Sequence, residues 1–397
     1  MNTAPARGLH SSLSRAVRAA ELGPRSRQPN VPMVNLGRLL EVTAPDWQRN
    51  LERLFGRMQF VLGKQVEAFE RDFAAHMGAR HAVGVGSGTA ALQLCLRAAG
   101  ITRPQQQVIT SALTSPFTAL AIRNAGATPV FADVDPDHLL IDADDLASRI
   151  TARTAAILPV HLYGQVCNLA RLRAVARTVR VPLVQDACQA HGATFLGRPL
   201  AQFSPGVAYS FYPTKNLGSL GDGGAVVTQS AQFAARLRML RDGGRRHDQV
   251  SHIRAMNSRL DEIQACFLCA FLPRLAEWNL QRVRLAALYD QALSVCPAVR
   301  PVVRGADSVN HLYVIRAPRR EHLRAYLARH GIATSVHYAV PLHLQPAFAD
   351  CGLKRGALPR AESACREILS LPLWPYMPES TVLAVAERIR RFFVSAA

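Results

Sequence analysis

Lysine is so rare in this chain that each one can be weighed: there are only Lys64, Lys215 and Lys354. Lys354 stands in the loop pattern Gly352-Leu353-Lys354-Arg355-Gly356, and Lys64 follows Gly63 at the start of a helical pattern. Lys215 is placed differently. It lies in Tyr209-Ser210-Phe211-Tyr212-Pro213-Thr214-Lys215-Asn216-Leu217-Gly218, just past an apolar run and ahead of Gly221-Asp222-Gly223-Gly224. In open α/β sheets, ligands bind where strands end. A lysine amine there can form a Schiff base with a carbonyl if its pKa is depressed. The alternative is a surface lysine on a glycine-rich loop, and this segment alone leaves both open.

Two further segments carry chemistry. In Val184-Gln185-Asp186-Ala187-Cys188-Gln189-Ala190-His191-Gly192 an apolar run delivers Asp186 at its end. A carboxylate so placed can hold a proton on a ring nitrogen, or simply make a turn or helix cap. In Gly86-Ser87-Gly88-Thr89-Ala90-Ala91-Leu92 a glycine-rich turn opens a helix. Free N–H groups, close backbone approach and hydroxyl donors make a phosphate cradle there. The segment lacks the lysine of a P-loop and does not match G-x-G-x-x-G. It is also a good helix start.

The elements that must position these residues follow from periodicity. Lys64–Met77 reads as an amphipathic helix, with Val66, Phe69, Phe73 and Ala74 on one face. Extended runs are expected at 82–85, 108–111, 128–132, 155–160, 182–185, 207–211 and 225–228. Helices are expected at 89–99, 118–124, 142–150 and 169–178. This alternation predicts a mostly parallel sheet with helices on both faces. From about 230 the pattern is mainly helical through Tyr289. A smaller α+β part follows, with strands at 312–315 and near 334–336 and helices near 321–330 and 379–394. The division expected is a basic, flexible tail over 1–30, a large domain over 31–270 and a small C-terminal domain over 271–397.

The 397 residues are 49% hydrophobic and 19% charged, enough for a sizeable core and against wholesale disorder. No apolar run of the roughly 18 residues a membrane helix needs is present. No apolar segment of a secretory leader follows the start. The tail holds Arg7, Arg15, Arg18, Arg25 and Arg27. It superficially resembles a transit peptide; a solvated tail, or translation starting further downstream, is the preferred reading. The net charge of +19 raises the question of nucleic acid. However, the 47 basic residues are nearly all arginines scattered along the chain, as in proteins of GC-rich genomes, and no helix-turn-helix pattern is present. No nucleic-acid or membrane partner is expected. The eight cysteines are dispersed, as in a reduced cytoplasmic protein. Cys266 and Cys269 form a C-x-x-C inside a helical run, without a second pair, so no metal site is expected.

Phosphate cradle, then Asp186, then Lys215 is the chain order of a fold-type-I pyridoxal-phosphate enzyme. Longer segments make the resemblance specific: Gly78 to Thr89, Pro159-Val160-His161-Leu162-Tyr163-Gly164-Gln165, Asp186 to Gly192, Tyr209 to Gly224, Asn257 to Ala265, and Val336-His337-Tyr338. With these the sequence resembles the DegT/StrS family of sugar aminotransferases, from Val31 to about Pro375. The resemblance implies a fold-type-I transferase using pyridoxal 5′-phosphate. Lys215 would bind the cofactor's aldehyde and shuttle the proton. Asp186 would pair with the ring nitrogen and Gln189 with the ring hydroxyl. Gly88, Thr89 and Ser210 would hold the phosphate, and Asn257 would reach the phosphate of a neighbouring subunit, in a homodimer with composite sites. His161, Tyr212, His337 and Tyr338 become substrate-side candidates, although each is also a plausible structural residue.

The implied reaction moves an amino group from L-glutamate to a nucleotide-linked keto sugar. The 211–218 and 257–262 stretches look more like the 3-keto branch than the 4-keto branch. A keto-cyclitol acceptor, a DNA-binding regulator and a cofactor-binding protein without chemistry are the alternatives. One departure stands out. Where the family places an aromatic residue over the cofactor ring, this chain has Ser115, with Phe117 two residues later. Lys215 is present, which disfavours the family's lysine-less dehydratase branch.

Overall fold

The computed structural model describes residues 30–246 and 248–394. Apart from Asn30, the tail expected over 1–30 lies outside the described residues. Helices Leu36–Val42 and Ala44–Arg57 come first. They are followed by α1 (Lys64–His76), β1 (His81–Val85), α2 (Gly88–Ala98), β2 (Gln107–Ser111), α3 (Pro116–Ala125) and β3 (Thr128–Ala132). Next are β4 (Thr154–Leu158), α4 (Leu169–Thr178), β5 (Gln185–Asp186), β6 (Val207–Ser210) and β7 (Gly224–Thr228). Strands β3-β2-β4 form a parallel group, and β1-β7-β6-β5 form a mixed one. Parallel bridges Ile157–Leu183 and Val160–Asp186 join them through β4 and β5. Only β7 runs against its neighbours. The sheet is therefore mostly parallel.

The strand sequences explain why both faces are covered. Along β4, Ile157 enters one apolar cluster while Ala156 and Leu158 enter another. Along β6, Val207 and Tyr209 face the first cluster and Ala208 the second. Side chains alternate across a strand, so a continuous apolar run buries both faces. Val66, Phe69 and Phe73 of α1 and Leu169 and Leu172 of α4 cover one side. Leu92 of α2 and Ile122 of α3 cover the other.

Because β7 is reversed, its first residue meets the last residues of its neighbours: Gly224 pairs with Val85 and with Ser210. Asp186 pairs with Ala208. The strand ends that carry the chemistry thus lie along one edge of the sheet.

Beyond β7 come α5 (Ala231–Arg241), α6 (Glu262–Phe271) and α7 (Leu275–Leu293). The stretches 242–246 and 248–261, part of a region expected to be mainly helical, hold no helix. Gly243 and Gly244 have φ of +69° and +75°, and a Cβ on Gly244 would come within 2.1 Å of the Ile253 carbonyl oxygen. Glu262 is buried and closes the start of α1. Its Oε1 accepts from Gly63 N at 2.7 Å and Val66 N at 3.0 Å, and its Oε2 from Gln65 N at 2.9 Å. Those are donors a helix start leaves without partners.

A second antiparallel sheet pairs β8 (Arg300–Pro301), β9 (Tyr313–Arg316) and β10 (Ile368–Leu371). With α7, α8 (Arg320–Arg329) and α9 (Glu379–Val394) it encloses a third cluster built on Tyr289, Tyr313, Leu327, Leu369 and Ile389. Strand β10 and the helix Pro359–Glu367 before it were not anticipated. The strand expected near 334–336 is a single bridge, Ser335 to Ser370. The chain's first described residues join this part: Val31 N donates to the Gly331 carbonyl at 3.0 Å, and Ala333 N to that of Val31 at 2.9 Å.

Among the described residues, no helix is long and apolar enough to cross a membrane. Nor does any group of three or more His, Cys, Asp or Glu among them suit a metal ion. Cys266 and Cys269 stand on α6 as free thiols.

Candidate active site

The turn from β1 into α2 is shaped by close approaches. A Cβ on Gly88 would lie 2.5 Å from Ser210 Cβ, and one on Gly224 would lie 2.4 Å from the Ser87 carbonyl oxygen. The hydroxyl of Ser87 caps α2 by accepting from Ala90 N at 3.1 Å. Gly86 N donates to Ser258 Oγ at 3.1 Å. Gly88 and Thr89 occupy the first positions of α2, where N–H groups have no helical partner. Ser210, at the end of β6, stands against Gly88. The result is a tight turn with no space for added side chains, whose free N–H groups suit an anion.

Asp186 ends β5 and is buried. Its Oδ2 accepts from Thr118 Oγ1 at 2.9 Å and its Oδ1 from Cys188 N at 3.1 Å. Burial pushes its pKa up, against those hydrogen bonds and the charge of Lys215. Burial pushes the Lys215 amine down, while Cys188 and Asp186 pull the other way. Neither residue makes a salt bridge among the described residues. A desolvated carboxylate and a desolvated amine feel each other's charge without a direct ion pair, and the turn at Gly88 stands close to Cys188 and Ser210 beside them. These are the partners required by a group with an anionic end, a protonated ring nitrogen and a carbonyl.

Gln189 is nearly buried. Its Oε1 accepts from Tyr163 N at 2.7 Å, and its Nε2 donates to the Tyr338 hydroxyl at 3.3 Å. Burial holds the Tyr338 phenol up at about 12. The Tyr163 hydroxyl donates to the His337 carbonyl. The His337 ring is set by Ser370 Oγ, 2.9 Å from Nδ1, and burial lowers its pKa to about 4. Tyr212 projects into solvent. Gln189, His337 and Tyr338 are therefore brought together.

His161 is not. It was a substrate-side candidate, but it is fully buried behind β5. Its Nδ1 accepts from Cys167 N at 3.2 Å, which leaves Nε2 to donate to Gln185 Oε1 at 2.9 Å. Both nitrogens are taken, so it serves the core. Asn257 is exposed, one residue before Ser258, which bonds the cradle. Ser115 caps α3, accepting from Phe117 N at 3.4 Å. Phe117 is 59% exposed.

Sequence reasoning missed Thr118, Ser258 and the second-row residues Asn216, Asn279 and His311. The Asp186–Cys188 link has a local signal, since Asp side chains commonly bond the backbone two residues on. Asn216 and Ser258 lie inside segments already singled out by sequence, but their roles depend on partners far along the chain, and Thr118, Asn279 and His311 come from distant segments with no local mark.

A family model described as "DegT/DnrJ/EryC1/StrS aminotransferase family" matches residues 43–390. The chain is 42% identical over 373 residues to a dTDP-3-amino-3,4,6-trideoxy-alpha-D-glucose transaminase of Streptomyces venezuelae, covering 94% of this chain and 98% of that protein. It is 41% identical over 368 residues to a protein of Geobacillus stearothermophilus named pleiotropic regulatory protein, covering 92% and 99%. Among solved structures, DesV of S. venezuelae in complex with a ketimine intermediate superposes with a TM-score of 0.89. It shares 41% identity, and the match covers 92% of this chain and 99% of that one.

Proposed function

The chain belongs to the DegT/DnrJ/EryC1/StrS aminotransferase family, and we propose that it transfers an amino group from L-glutamate to a nucleotide-linked 3-keto sugar. It is a pyridoxal-phosphate-dependent aminotransferase. The observation that supports this reading is the buried couple Asp186 and Lys215, close enough to feel each other's charge yet without a direct ion pair, beside the turn at Gly88 and Ser210.

When bound, pyridoxal phosphate supplies a conjugated electron sink for the pair left as the substrate carbon loses its proton. The chain's own residues do the rest. Lys215 Nζ would hold the cofactor and carry the proton to and from the substrate carbon. The Asp186 carboxylate would hold a proton on the ring nitrogen. The N–H groups of Gly88 and Thr89 and the Ser210 hydroxyl would hold the phosphate, and Gln189 would hold the ring hydroxyl. Asn257 completes the phosphate site of a second copy, so the active unit is a homodimer. Tyr212, His337 and Tyr338 face the substrate, and either Phe117, two residues after Ser115, covers the cofactor ring or the ring is covered differently. The large unit over 31–270 holds the cofactor and the unit over 271–397 borders the substrate side. The enzyme works in the cytoplasm.

The test is the visible absorbance of purified protein before and after adding glutamate, beside Lys215→Ala. A band that glutamate bleaches, and that the variant lacks, supports the reading; restoration by a nucleotide-linked 3-keto sugar identifies the acceptor. A protein that stays colourless with added pyridoxal phosphate overturns it. That result would favour a regulatory role of the kind named for the Geobacillus protein.

A further inference from the structure

Behind Lys215 lies a row of buried polar side chains. His191 Nε2 donates to the Ser210 carbonyl at 2.8 Å, and the His191 carbonyl accepts from Asn279 Nδ2 at 2.8 Å. Asn279 Oδ1 accepts from Asn216 Nδ2 at 2.9 Å, and the same Nδ2 donates to the Val309 carbonyl at 3.2 Å. Asn216 Oδ1 faces His311 Nδ1 at 3.0 Å. The His311 carbonyl accepts from Arg282 Nη1, which also reaches the Leu373 carbonyl at 3.0 Å. The row runs unbroken from the end of β6 to the segment after β10.

Its directions are fixed. The carbonyls of His191 and Val309 can only accept, so each amide has one orientation. His311 must then donate from Nδ1. Asn216, Asn279, Arg282 and His311 are all at least nine-tenths buried. A Cβ on Gly192 would lie 3.0 Å from Asn279 Nδ2, so the approach leaves little slack. Apolar packing would fill the same space without placing amides in a core, where each needs every partner. The row's centre, Asn216, is the residue next to Lys215.

We propose that Asn279, Asn216 and His311 are positioning residues that hold Lys215 in register between β6 and the 309–311 segment, so that its amine meets the carbonyl it must attack. This rests on reading the chain as an aminotransferase with Lys215 as the reacting amine. The groups acting electrostatically on Lys215 are Asp186 and Cys188 on one side and His191, His311 and His337 on the other. Burial lowers the pKa of all three histidines, which leaves them neutral. The row thus fixes the lysine without placing an anion beside it.

The test uses the holoenzyme. Single-turnover reaction with glutamate, borohydride trapping of pyridoxal phosphate on Lys215 and thermal midpoint are measured together. Asn216→Ala is expected to slow single turnover by about 10²-fold, as a misplacement near 1 Å does. The midpoint should fall, because Asn279 Oδ1, the Val309 carbonyl and His311 Nδ1 lose a partner, but the rate loss should exceed that of core variants with an equal midpoint drop, and the KM for glutamate should change little. His311→Leu behaves the same way. His311→Asn, whose amide stands near the place of Nδ1, recovers most of the rate. Combining Asn216→Ala with His311→Leu is no slower than the worse single variant. A wild-type rate in Asn216→Ala, rate losses that track the thermal midpoint, or strictly multiplicative losses each overturn the proposal. If Asn216→Ala does not fold, the isosteric Asn216→Asp decides: it keeps the shape but cannot donate to Asn279 Oδ1 and the Val309 carbonyl, so borohydride trapping on Lys215 should slow, and an unchanged trapping rate overturns the proposal. If the unsubstituted protein takes the cofactor but does not react with glutamate, the functional reading fails. Trapping rates of the same variants then still judge the positioning role.

Discussion

Two buried carboxylates in this molecule are held in opposite ways. Glu262 receives three backbone N–H donors from the turn that starts α1, so its charge is matched at a helix terminus. Asp186 receives one hydroxyl and one N–H, and burial still pushes its pKa up. The first is a finished structural contact. The second is left short of positive charge, and that shortfall is what a protonated ring nitrogen would fill. The difference separates a carboxylate that holds the fold from one reserved for a ligand, although neither could be told from the other by residue type or exposure.

The comparison can be broken at either end. Asp186→Asn keeps the shape and both neighbours but loses the charge. It should slow single turnover with glutamate by about 10³-fold, the upper size for removing one preorganised electrostatic partner. A rate within threefold of the unsubstituted enzyme would make Asp186 another Glu262. Glu262→Ala should do the reverse. It strands three N–H groups and should lower unfolding free energy by about 3 kcal/mol in a urea titration, with little change in turnover per folded molecule. Gly88→Ala sharpens the contrast from the cradle side. Its Cβ collides with Ser210, and overpacking of this kind should weaken cofactor affinity about tenfold by fluorescence titration.

The smallest effect is in pH. A carboxylate whose folded pKa is raised contributes stability below its unfolded pKa and loses it as pH rises through the folded value. Apoprotein carrying Asp186→Asn should therefore melt higher than the unsubstituted apoprotein at pH 7, with the gap closing toward pH 4. Bound cofactor should remove or reverse the gap.

Much of this was legible in the sequence. The βα alternation from 81 to 228 is local, because each strand is an apolar run with glycine or polar punctuation. Lys215, Asp186 and Gly88 stand out because they follow such runs directly. What failed did so for non-local reasons. Strand β10 is hidden in an apolar stretch that continues a helix, where periodicity cannot separate the two. The extended run near 334–336 makes only one bridge, to Ser370. The 242–261 stretch reads as helical until Gly243 and Gly244 turn it. His161 has the residue type of a substrate ligand, and only its two partners, Cys167 and Gln185, assign it to the core. Thr118, Asn279 and His311 reach the site from far along the chain.

The seam at Val31 ties the start of the described chain to residues 331–333. At the ribosome's pace of about 5–20 residues per second, the roughly 300 residues between them take about 15–60 seconds to make. During that time the cofactor-binding sheet can assemble, while the segment at 31–34 waits without its partner. Synthesis order and spatial order therefore disagree. The nascent chain carries the segment at 31–34 unmatched until about its last sixth emerges, and a ribosome stalled before residue 331 would display the sheet with that segment still open to chaperones.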